Sequence, residues 1–340
     1  MLFVSFVVKK TMKDIKRWLP GALVSLALIA AILYFVDFRA MWEAIRTADY
    51  RLLGVAVTLA LVWMMVRAKV WQTLLRDKAS YRDVLFTCGE GYLLNNFLPF
   101  RLGEIGRAFL LSRKTGMQFG EILPTIVIER SVDLAFSAVI FLVSLALVIE
   151  IPGAERIGII VGVVMLIGLA MMYLLARNTR WALDTFDKLS MRWTSLQKFG
   201  GSFLESFFAG LGVLTDGWLF ARFLFWMTLN WGIAMVWYYL VTLAYFPHAQ
   251  WTWGLFALGA AAFGGAIPSL PGAVGTFEGA VGGALTLLTG DESTSLAVAL
   301  TARLYNYFNS GVIGGIGLSR EGQTLSGIYQ QLKNFRNRNE

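Results

Sequence analysis

Long apolar stretches dominate this chain and limit what it can fold into. Of its 340 residues, 57% are hydrophobic and 15% are charged, and the mean hydropathy is +0.61. Residues 18–36 carry no charge, and residues 223–302 contain neither lysine nor arginine. A soluble domain cannot hide so much apolar surface, because its exterior must be polar. The composition therefore predicts an all-α integral membrane protein with several spanning helices.

The rarest residues limit the chemistry that the chain can carry. It has one cysteine, Cys88, and one histidine, His248. A single cysteine gives no disulfide framework within the chain and no cysteine-based metal site. A single histidine argues against a histidine-ligated metal and against a Ser-His catalytic pair. We therefore expect no catalytic residue, no metal and no cofactor.

The net charge of +8 does not indicate a nucleic-acid partner, because the cations lie in short loops between apolar stretches. Lysine and arginine concentrate at the cytoplasmic ends of membrane helices. This bias predicts a multi-pass protein of the cytoplasmic (inner) membrane with both termini in the cytoplasm. Within the second span, Arg67 and Lys69 are expected to reach the cytoplasmic interface by snorkelling.

Charge and hydropathy together divide the chain into three parts. Residues 1–17 form a basic cytoplasmic segment, which is either an amphipathic helix on anionic lipid or a topology signal alone. Residues 18–320 form a single transmembrane domain, in which residues 177–217 are expected to be cytoplasmic interfacial helices. Residues 321–340 form a cytoplasmic tail.

Two apolar segments are interrupted by proline and glycine at matching positions. The match pairs, at one constant offset, Pro99, Gly103 and Gly106 with Pro268, Gly272 and Gly275. Such paired interruptions are typical of the midplane binding site of a transporter. Basic residues flank the first segment, whereas the second lies in the stretch without lysine or arginine. The first hairpin, with its break predicted from Pro99 to Gly106, should therefore enter the membrane from the cytoplasm. The second, with its break predicted from Ile267 to Gly275, should enter from outside.

The whole chain then reads as about six transmembrane helices plus two re-entrant hairpins, arranged as an inverted repeat. Repeat 1 covers about residues 52–149 and repeat 2 about residues 219–318, each as span, hairpin and span. The helices after the two hairpins also match, through the motifs Arg130-Ser-Val-Asp133 and Arg303-Leu-Tyr-Asn306. Irregular backbone at membrane depth must face protein or water, so both breaks should face the interior of the bundle.

A helix that restarts after each break would point its N-terminus into this interior. Such an end exposes unpaired N–H groups and binds phosphate readily. Arginines near the breaks would add positive charge, and their planar guanidinium groups suit phosphate. The predicted phosphate-binding residues are Arg101, Gly103, Glu104, Gly106, Arg107, Arg130, Gly272, Gly275, Thr276 and Arg303.

A second group of polar residues is expected to support this site. It comprises Asn95, Asn96, Glu129, Asp133, Glu278 and Asn306, with Pro99, Pro268 and Pro271 at the breaks. Glu129 and Asp133 either form structural ion pairs or act on a ligand. Glu104 is a ligand group, a coupling-ion site or the partner of Arg107. Glu278 would favour the dipole of the restarted helix, and the asparagines would hydrogen-bond loose backbone.

Three stretches together resemble the lysylphosphatidylglycerol synthase transmembrane-region family of flippase-like proteins. They are Asn96-Phe-Leu-Pro-Phe-Arg-Leu-Gly-Glu-Ile-Gly-Arg107, Glu129-Arg-Ser-Val-Asp133 and Ile267-Pro-Ser-Leu-Pro-Gly-Ala-Val-Gly-Thr-Phe-Glu278. The resemblance covers most of the chain and implies movement of a lipid with a phosphate-containing head group between leaflets. Related proteins are linked to aminoacyl-phospholipids and to polyprenyl-linked sugars. The bifunctional members carry a soluble aminoacyl transferase domain, which we do not expect here.

Three other hypotheses use the same residues. The chain could be a secondary transporter of a small anionic solute with a water-facing entrance. It could instead be a membrane-embedded transferase that relies on Glu129 and Asp133, or a non-catalytic partner of a glycosyltransferase or lipid-modifying enzyme. Lipid transport remains the leading prediction, with membrane lipids as the substrate.

Overall fold

The computed structural model of the chain is helical wherever it describes regular structure. It describes residues 36–97, 102–148, 215–267 and 269–322, with scattered positions within 26–34 and 163–185. Several sequence predictions concern other residues. Outside the described residues lie segment 1–17, most of the first span, Pro99, Arg101, Pro268, most of residues 177–217 and the tail after residue 322.

Five helices make up the described first half. They are α1 (Phe38–Thr47), α2 (Tyr50–Leu74), α3 (Tyr81–Phe97), α4 (Leu102–Thr115) and α5 (Phe119–Val148). Asp37 and Asp49 precede α1 and α2, and their side chains accept hydrogen bonds from the first backbone amides of those helices. An aspartate in this position satisfies N–H groups that have no partner within the helix, and so it defines where the helix begins.

Four α-helices and one short 3₁₀ turn make up the described second half. They are α6 (Gly217–Tyr245), α7 (Trp251–Ala266), a 3₁₀ turn (Pro271–Ala273), α8 (Thr276–Thr289) and α9 (Glu292–Arg320). Asp216 and Asp291 cap α6 and α9 in the same way. Gly290 ends α8 with a φ of 68°, a left-handed conformation that glycine adopts without steric cost.

Three of the described helices, α2, α5 and α6, are long and apolar enough to cross a membrane. These helices make the chain a membrane protein by length and composition. Helix α9 has 29 residues, as many as α6, but it carries more polar side chains. Its role as a span stays a prediction, and so does the count of about six spans.

Helices α3 and α4 form an antiparallel hairpin whose close packing depends on glycine. Gly91 of α3 lies against Arg107 of α4, and Gly103 of α4 lies against Gly91 and Asn95. Further from the tip, Lys114 Nζ donates a hydrogen bond to Thr87 Oγ1 at 2.9 Å. The break lies before Leu102, so the predicted break from Pro99 to Gly106 was too long. Gly103 and Gly106 lie inside α4 rather than in the break. At Gly103 the two helices approach so closely that only glycine, which has no Cβ atom, fits.

The second hairpin consists of α7 and α8, which pack through Gly264 against Thr276 and Ala280. Its break runs from Ile267 to Gly275, as the sequence predicted, with Gly272 and Gly275 at φ values of 72° and 88°. These left-handed conformations favour glycine, because a Cβ atom would clash with the backbone.

The tips of the two hairpins meet. A Cβ atom added at Gly272 would lie 3.2 Å from the backbone oxygen of Asn96, at the end of α3. Asn96 Nδ2 also donates a hydrogen bond to Ser310 Oγ of α9 at 2.8 Å. The order of helix, hairpin and helix therefore occurs twice, and the two halves touch at their breaks. Opposite orientations of the two hairpins in a membrane stay a prediction.

Two large clusters of buried apolar side chains surround this contact. The first gathers residues of α2 to α6 around Trp71 and includes Val84, Ile122 and Phe223. The second joins α2 and α6 to α7, α8 and α9 and includes Val241 and Val281. Helix α2 therefore belongs to both cores and connects the two halves.

Gly103→Ala should destabilise the first hairpin, because the added methyl group would overlap the Gly91 carbonyl and the Asn95 side chain. Overpacking of this kind costs about 1–3 kcal/mol. The unfolding midpoint of the detergent-solubilised protein, followed by tryptophan fluorescence, should fall by roughly 2–4 °C per kcal/mol.

The control is Gly283→Ala in α8, where no atom lies within 4 Å of an added Cβ. Alanine forms helix more readily than glycine, so this variant should match or exceed the stability of the parent. An unchanged midpoint for Gly103→Ala would show that the hairpin does not pack as closely as described.

Candidate functional site

An arginine near the middle of the bundle organises the polar residues of the first half. Arg67 lies on the apolar helix α2 and is only 2% exposed. Its guanidinium contacts the carboxylates of Glu129 and Asp133 on α5, and Nη1 donates to Asp133 Oδ1 at 2.8 Å. The prediction that Arg67 snorkels to the interface was therefore wrong, because two buried carboxylates hold it inside the bundle.

Arg107 of α4 joins the same cluster from the first hairpin. It is 1% exposed, and its Nη2 donates to Glu129 Oε2 at 3.0 Å. Its Nε lies 3.2 Å from Glu104 Oε2, and its guanidinium stacks over the Trp71 ring at 4.5 Å from the ring centroid. Arg107 thus ties α4 to α2 and α5 from within the protein interior.

Arg130 of α5 is the most exposed of the three arginines, at 29% of its side chain. Its Nη2 lies 2.8 Å from Glu104 Oε1, and its Nη1 donates to Asp133 Oδ2 at 3.2 Å. Its guanidinium also lies 5.7 Å from the centroid of the Tyr92 ring. Arg130 therefore completes the cluster on the side from which a ligand would approach.

These contacts close into a ring of alternating charges. Its order, returning to the first residue, is Arg67, Glu129, Arg107, Glu104, Arg130 and Asp133. Each carboxylate touches at least two arginines, and each arginine touches at least two carboxylates. Burying ions costs several kcal/mol each unless they are paired in good geometry, and the charge ring provides this pairing throughout. The structural interpretation of Glu129 is the one that the geometry supports, since it is fully buried between two arginines.

Neighbouring polar groups fix the outer members of the charge ring. Asn95 Nδ2 donates to Glu104 Oε1 at 3.3 Å, and Trp231 Nε1 donates to Asp133 Oδ1 at 3.2 Å. Asn230 lies beside Arg67, with its Oδ1 3.4 Å from Arg67 Nη1. The carboxylates are thus held by neutral donors as well as by arginines, which is the condition for a stable buried network.

In the second half, Arg303 of α9 binds the break of the second hairpin rather than a ring of charges. Arg303 Nε donates to Glu278 Oε1 at 2.6 Å, and Nη2 donates to the carbonyl oxygen of Ala273 at 3.0 Å. Its Nη1 also contacts the carbonyl oxygen of Gly272, and its guanidinium stacks on the Phe277 ring. Arg303 therefore holds the 3₁₀ turn in place by binding carbonyl groups that the break leaves without helical partners.

The N-terminus of α8, where the helix resumes after the break, is already bound by a side chain of the same helix. The Gly275 amide donates to Glu278 Oε2 at 2.8 Å, and the Thr276 hydroxyl contacts Ala273 and Ser269 at about 3 Å. A phosphate at this helix end would have to displace Glu278. The predicted phosphate contacts of Gly275 and Thr276 stay predictions.

A cavity of two adjoining lobes lies between the hairpin tips and the charge ring. The polar lobe, of about 430 Å³, lies between the first hairpin, the second break and α9. The apolar lobe, of about 480 Å³, lies between α2, α5, α6 and α7 and is lined by side chains such as Trp237, Leu258 and Leu134. Glu104 and Arg130 line both lobes, so the charged edge of the ring lies where the lobes join.

The cavity brings together only part of the predicted site. The polar lobe is lined by Asn95, Asn96, Glu104, Arg130, Pro271, Gly272, Arg303 and Asn306. Asp133 lines the apolar lobe only. Neither lobe is lined by Gly103, Gly106, Arg107, Glu129, Gly275, Thr276 or Glu278. The predicted ligand contact of Arg107 stays a prediction, since the described geometry assigns this residue to the ring.

Several residues of the site did not emerge from the sequence. They are Arg67, Trp63, Tyr92, Trp231 and Asn309. Arg67 carried a usable signal, because an arginine within a membrane helix is a functional candidate by default. The aromatic residues gave no such signal, since tryptophan and tyrosine also serve as anchors at the membrane interface and the sequence does not distinguish the two roles. Among the described residues, no three histidine, cysteine or acidic side chains converge in a way that would hold a metal ion.

Comparison with known proteins gives one match. A family model described as the lysylphosphatidylglycerol synthase TM region matches residues 18–314, which is most of the chain. No curated protein and no solved structure matches. The matched range contains both hairpins and every residue of the charge ring.

Arg67→Met should severely destabilise the protein, because it leaves Glu129 and Asp133 with one arginine fewer in a buried site. Removing one partner of a buried ion pair costs about 3–5 kcal/mol. The yield of monodisperse protein after detergent extraction and the midpoint of thermal unfolding should both fall.

Adding Asp133→Asn to Arg67→Met restores the charge balance and should recover part of the lost stability. Arg51→Met, at an exposed position in the first turn of the same helix, is the matched control and should change little. Equal stability of Arg67→Met and the parent protein would contradict the charge ring.

Proposed function

The chain belongs to the lysylphosphatidylglycerol synthase transmembrane-region family, and from this premise we propose that it moves a lipid with a phosphate-containing head group between membrane leaflets. The observation that carries the proposal is the cavity, which joins a polar lobe to an apolar lobe at the edge of the charge ring. We propose transport rather than catalysis, because each carboxylate of the ring is already paired with two arginines.

The shape of the cavity suits a lipid better than a small solute. A head group would occupy the polar lobe, where Arg130, Asn96 and Asn306 offer polar groups. The adjoining apolar lobe would take the first part of an acyl or prenyl chain, against Trp237 and Leu258. A small anionic solute would use only the first lobe, and it would gain nothing from the second.

Arg130 is the residue that we expect to bind the phosphate. It is partly exposed, it lines both lobes, and its planar guanidinium can bind two phosphate oxygens at once. A phosphate would replace Glu104 or Asp133 as one partner of Arg130. Either carboxylate would keep its other arginine, Arg107 or Arg67, so neither would be left buried and unpaired.

The hairpins provide a route across the membrane in this proposal. We propose about six spans and two oppositely oriented re-entrant hairpins, whose tips meet at Asn96 and Gly272 near the membrane midplane. Each hairpin would close the cavity toward one side of a cytoplasmic membrane, with both chain termini in the cytoplasm. The head group would pass the tips while the tail stays in the bilayer.

Arg130→Ala should slow lipid movement in proteoliposomes by about 10- to 100-fold, because it removes a charge-assisted contact worth about 1.5–3 kcal/mol. The rate of lipid movement by Arg130→Lys should lie between the rates of Arg130→Ala and the parent, since lysine keeps the charge but loses the two-pronged geometry. The assay follows acyl-labelled lipids by dithionite quenching, with phosphatidylglycerol and a polyprenyl-phosphate sugar in the panel.

The matched control is Arg222→Ala, which breaks the more exposed ion pair between Arg222 and Asp77 outside the cavity. Such surface pairs contribute about 0–1 kcal/mol, so its transport rate should stay within twofold of the parent. Normal transport by Arg130→Ala, or no movement of any lipid by the parent protein, would overturn the proposal. Uptake of soluble glycerol phosphate without lipid movement would instead identify a solute transporter.

A further inference from the structure

A second cluster of charges lies outside the cavity, where the first hairpin packs against α9. Lys114 Nζ of α4 lies 2.9 Å from Glu90 Oε2 of α3, and it also contacts the carboxylate of Glu321, the residue after α9. Its remaining hydrogen bond goes to Thr87 Oγ1. An ammonium group has three N–H donors, so these three partners saturate Lys114. None of the four residues lines either lobe of the cavity.

The charges of this cluster do not balance. The Glu90 side chain is fully buried, whereas those of Lys114 and Glu321 are 13% and 25% exposed and form the rim. Two carboxylates therefore face one ammonium group in a site that is largely closed to water. Among the described residues, no second lysine or arginine forms an ion pair with either carboxylate. Two carboxylates that share a site do not both ionise readily, so the pair favours binding one proton.

The other charged groups of the helices packed around Glu90 are directed elsewhere. Arg113 and Arg320 are the sequence neighbours of Lys114 and Glu321, and the guanidinium of each lies over a phenylalanine ring. Helix α2 also packs on α3, but it does so through the first apolar cluster and the charge ring. The 3₁₀ turn, which touches α3 at its tip, has no titratable side chain. Lys114 and Glu321 are thus the charged groups that face Glu90.

The cluster lies at one end of a close seam between α3 and α9. Gly89 of α3 and Gly314 of α9 meet backbone to backbone, and Gly317 leaves room for the Glu90 carboxylate, because a Cβ atom there would collide with it. At the other end of the seam, Asn96 of α3 donates its hydrogen bond to α9 at the hairpin tip. The same pair of helices therefore connects the charged cluster to the contact between the hairpin tips.

We infer that Glu90 and Glu321 bind one proton between them, and that this proton controls how firmly the first hairpin is held against α9. With the proton bound, the remaining carboxylate balances Lys114 and the seam stays closed. Without it, one negative charge in the cluster is unbalanced, and Glu321 moves away from Glu90 toward water. The proton comes from the aqueous phase and returns to it through the exposed rim.

The effect of this proton on transport rests on the proposed function. Once α3 is held less firmly, the hairpin tips part more readily and lipid moves faster. The first test measures movement of whichever lipid of the panel the parent transports, by albumin extraction of a short-chain labelled form. The pH is equal on both sides of the proteoliposome membrane, so no gradient drives the movement. The rate should be about tenfold higher at about pH 8 than at about pH 6, since one charge-assisted contact is lost.

Glu90→Gln and Glu321→Gln each leave one carboxylate for Lys114, so both variants keep the seam closed without a proton. Both should move lipid at the slow rate that the parent shows at low pH, and neither rate should change with pH. Glu292→Gln makes the same chemical change at an exposed position in the first turn of α9. This matched control should keep the pH response of the parent.

The second test follows the seam itself and does not need transport. Spin labels at Arg82→Cys of α3 and Ser319→Cys of α9, both exposed positions, report the distance between the two helices by electron paramagnetic resonance. The native Cys88 is buried and should not react with the label. The distance should increase with pH in the otherwise unchanged protein and stay constant when Glu321→Gln is added.

Three results would each overturn the proton-binding site. They are a rate of lipid movement that is flat or falls as the pH rises, a pH response that survives in either glutamine variant of the cluster, and a label distance that does not depend on pH. Absence of lipid movement at every pH would instead overturn the proposed function. The label distance would then still decide whether the cluster binds a proton.

Discussion

A closed ring of six alternating charges, three of them fully buried, is the interaction on which the first half of this protein depends. It joins α2, α4 and α5 by contacts that run from Arg67 through Glu129 and Arg107 to the cavity edge. Ions are costly to bury singly, and a ring in which every member has two partners removes that cost without leaving a net charge. Because α4 belongs to the first hairpin, the ring also gives that hairpin a fixed position. The cavity wall is therefore as rigid as the ion pairs behind it.

The two halves have the same order of helices, but their charged residues bind different partners. In the first half, arginines and carboxylates bind one another across helices, and four of the six members of the ring line the cavity. In the second half, Arg303 and Glu278 serve their own break, where they bind the backbone of the 3₁₀ turn and the restart of α8. The first half thus places charged side chains at the cavity, and the second half provides much of the cavity wall and its neutral polar groups. Similar motifs in the two halves therefore have different physical roles.

Local signals in the sequence were sufficient for the second break, but they made the first break too long. Proline, glycine and capping aspartate act within a few residues, so the second break from Ile267 to Gly275 followed from sequence alone. The surroundings of a residue whose partners are distant in the sequence did not follow from such local signals. An arginine late in an apolar helix fits snorkelling and burial equally well, and only the nearby carboxylates of α5 decide the case of Arg67.

The contact between the hairpin tips has a kinetic consequence. Its members are the backbone of Gly272 and of Asn96, joined to α9 by a single side-chain hydrogen bond from Asn96. The contact consists mainly of backbone and polar atoms, and regions with few buried apolar contacts are those that open locally at low free-energy cost. The helices on either side are packed far more closely, through glycines such as Gly89 and Gly314. In the proposed transport this contact would open before the helices separate, and how often it opens would limit how fast a head group passes.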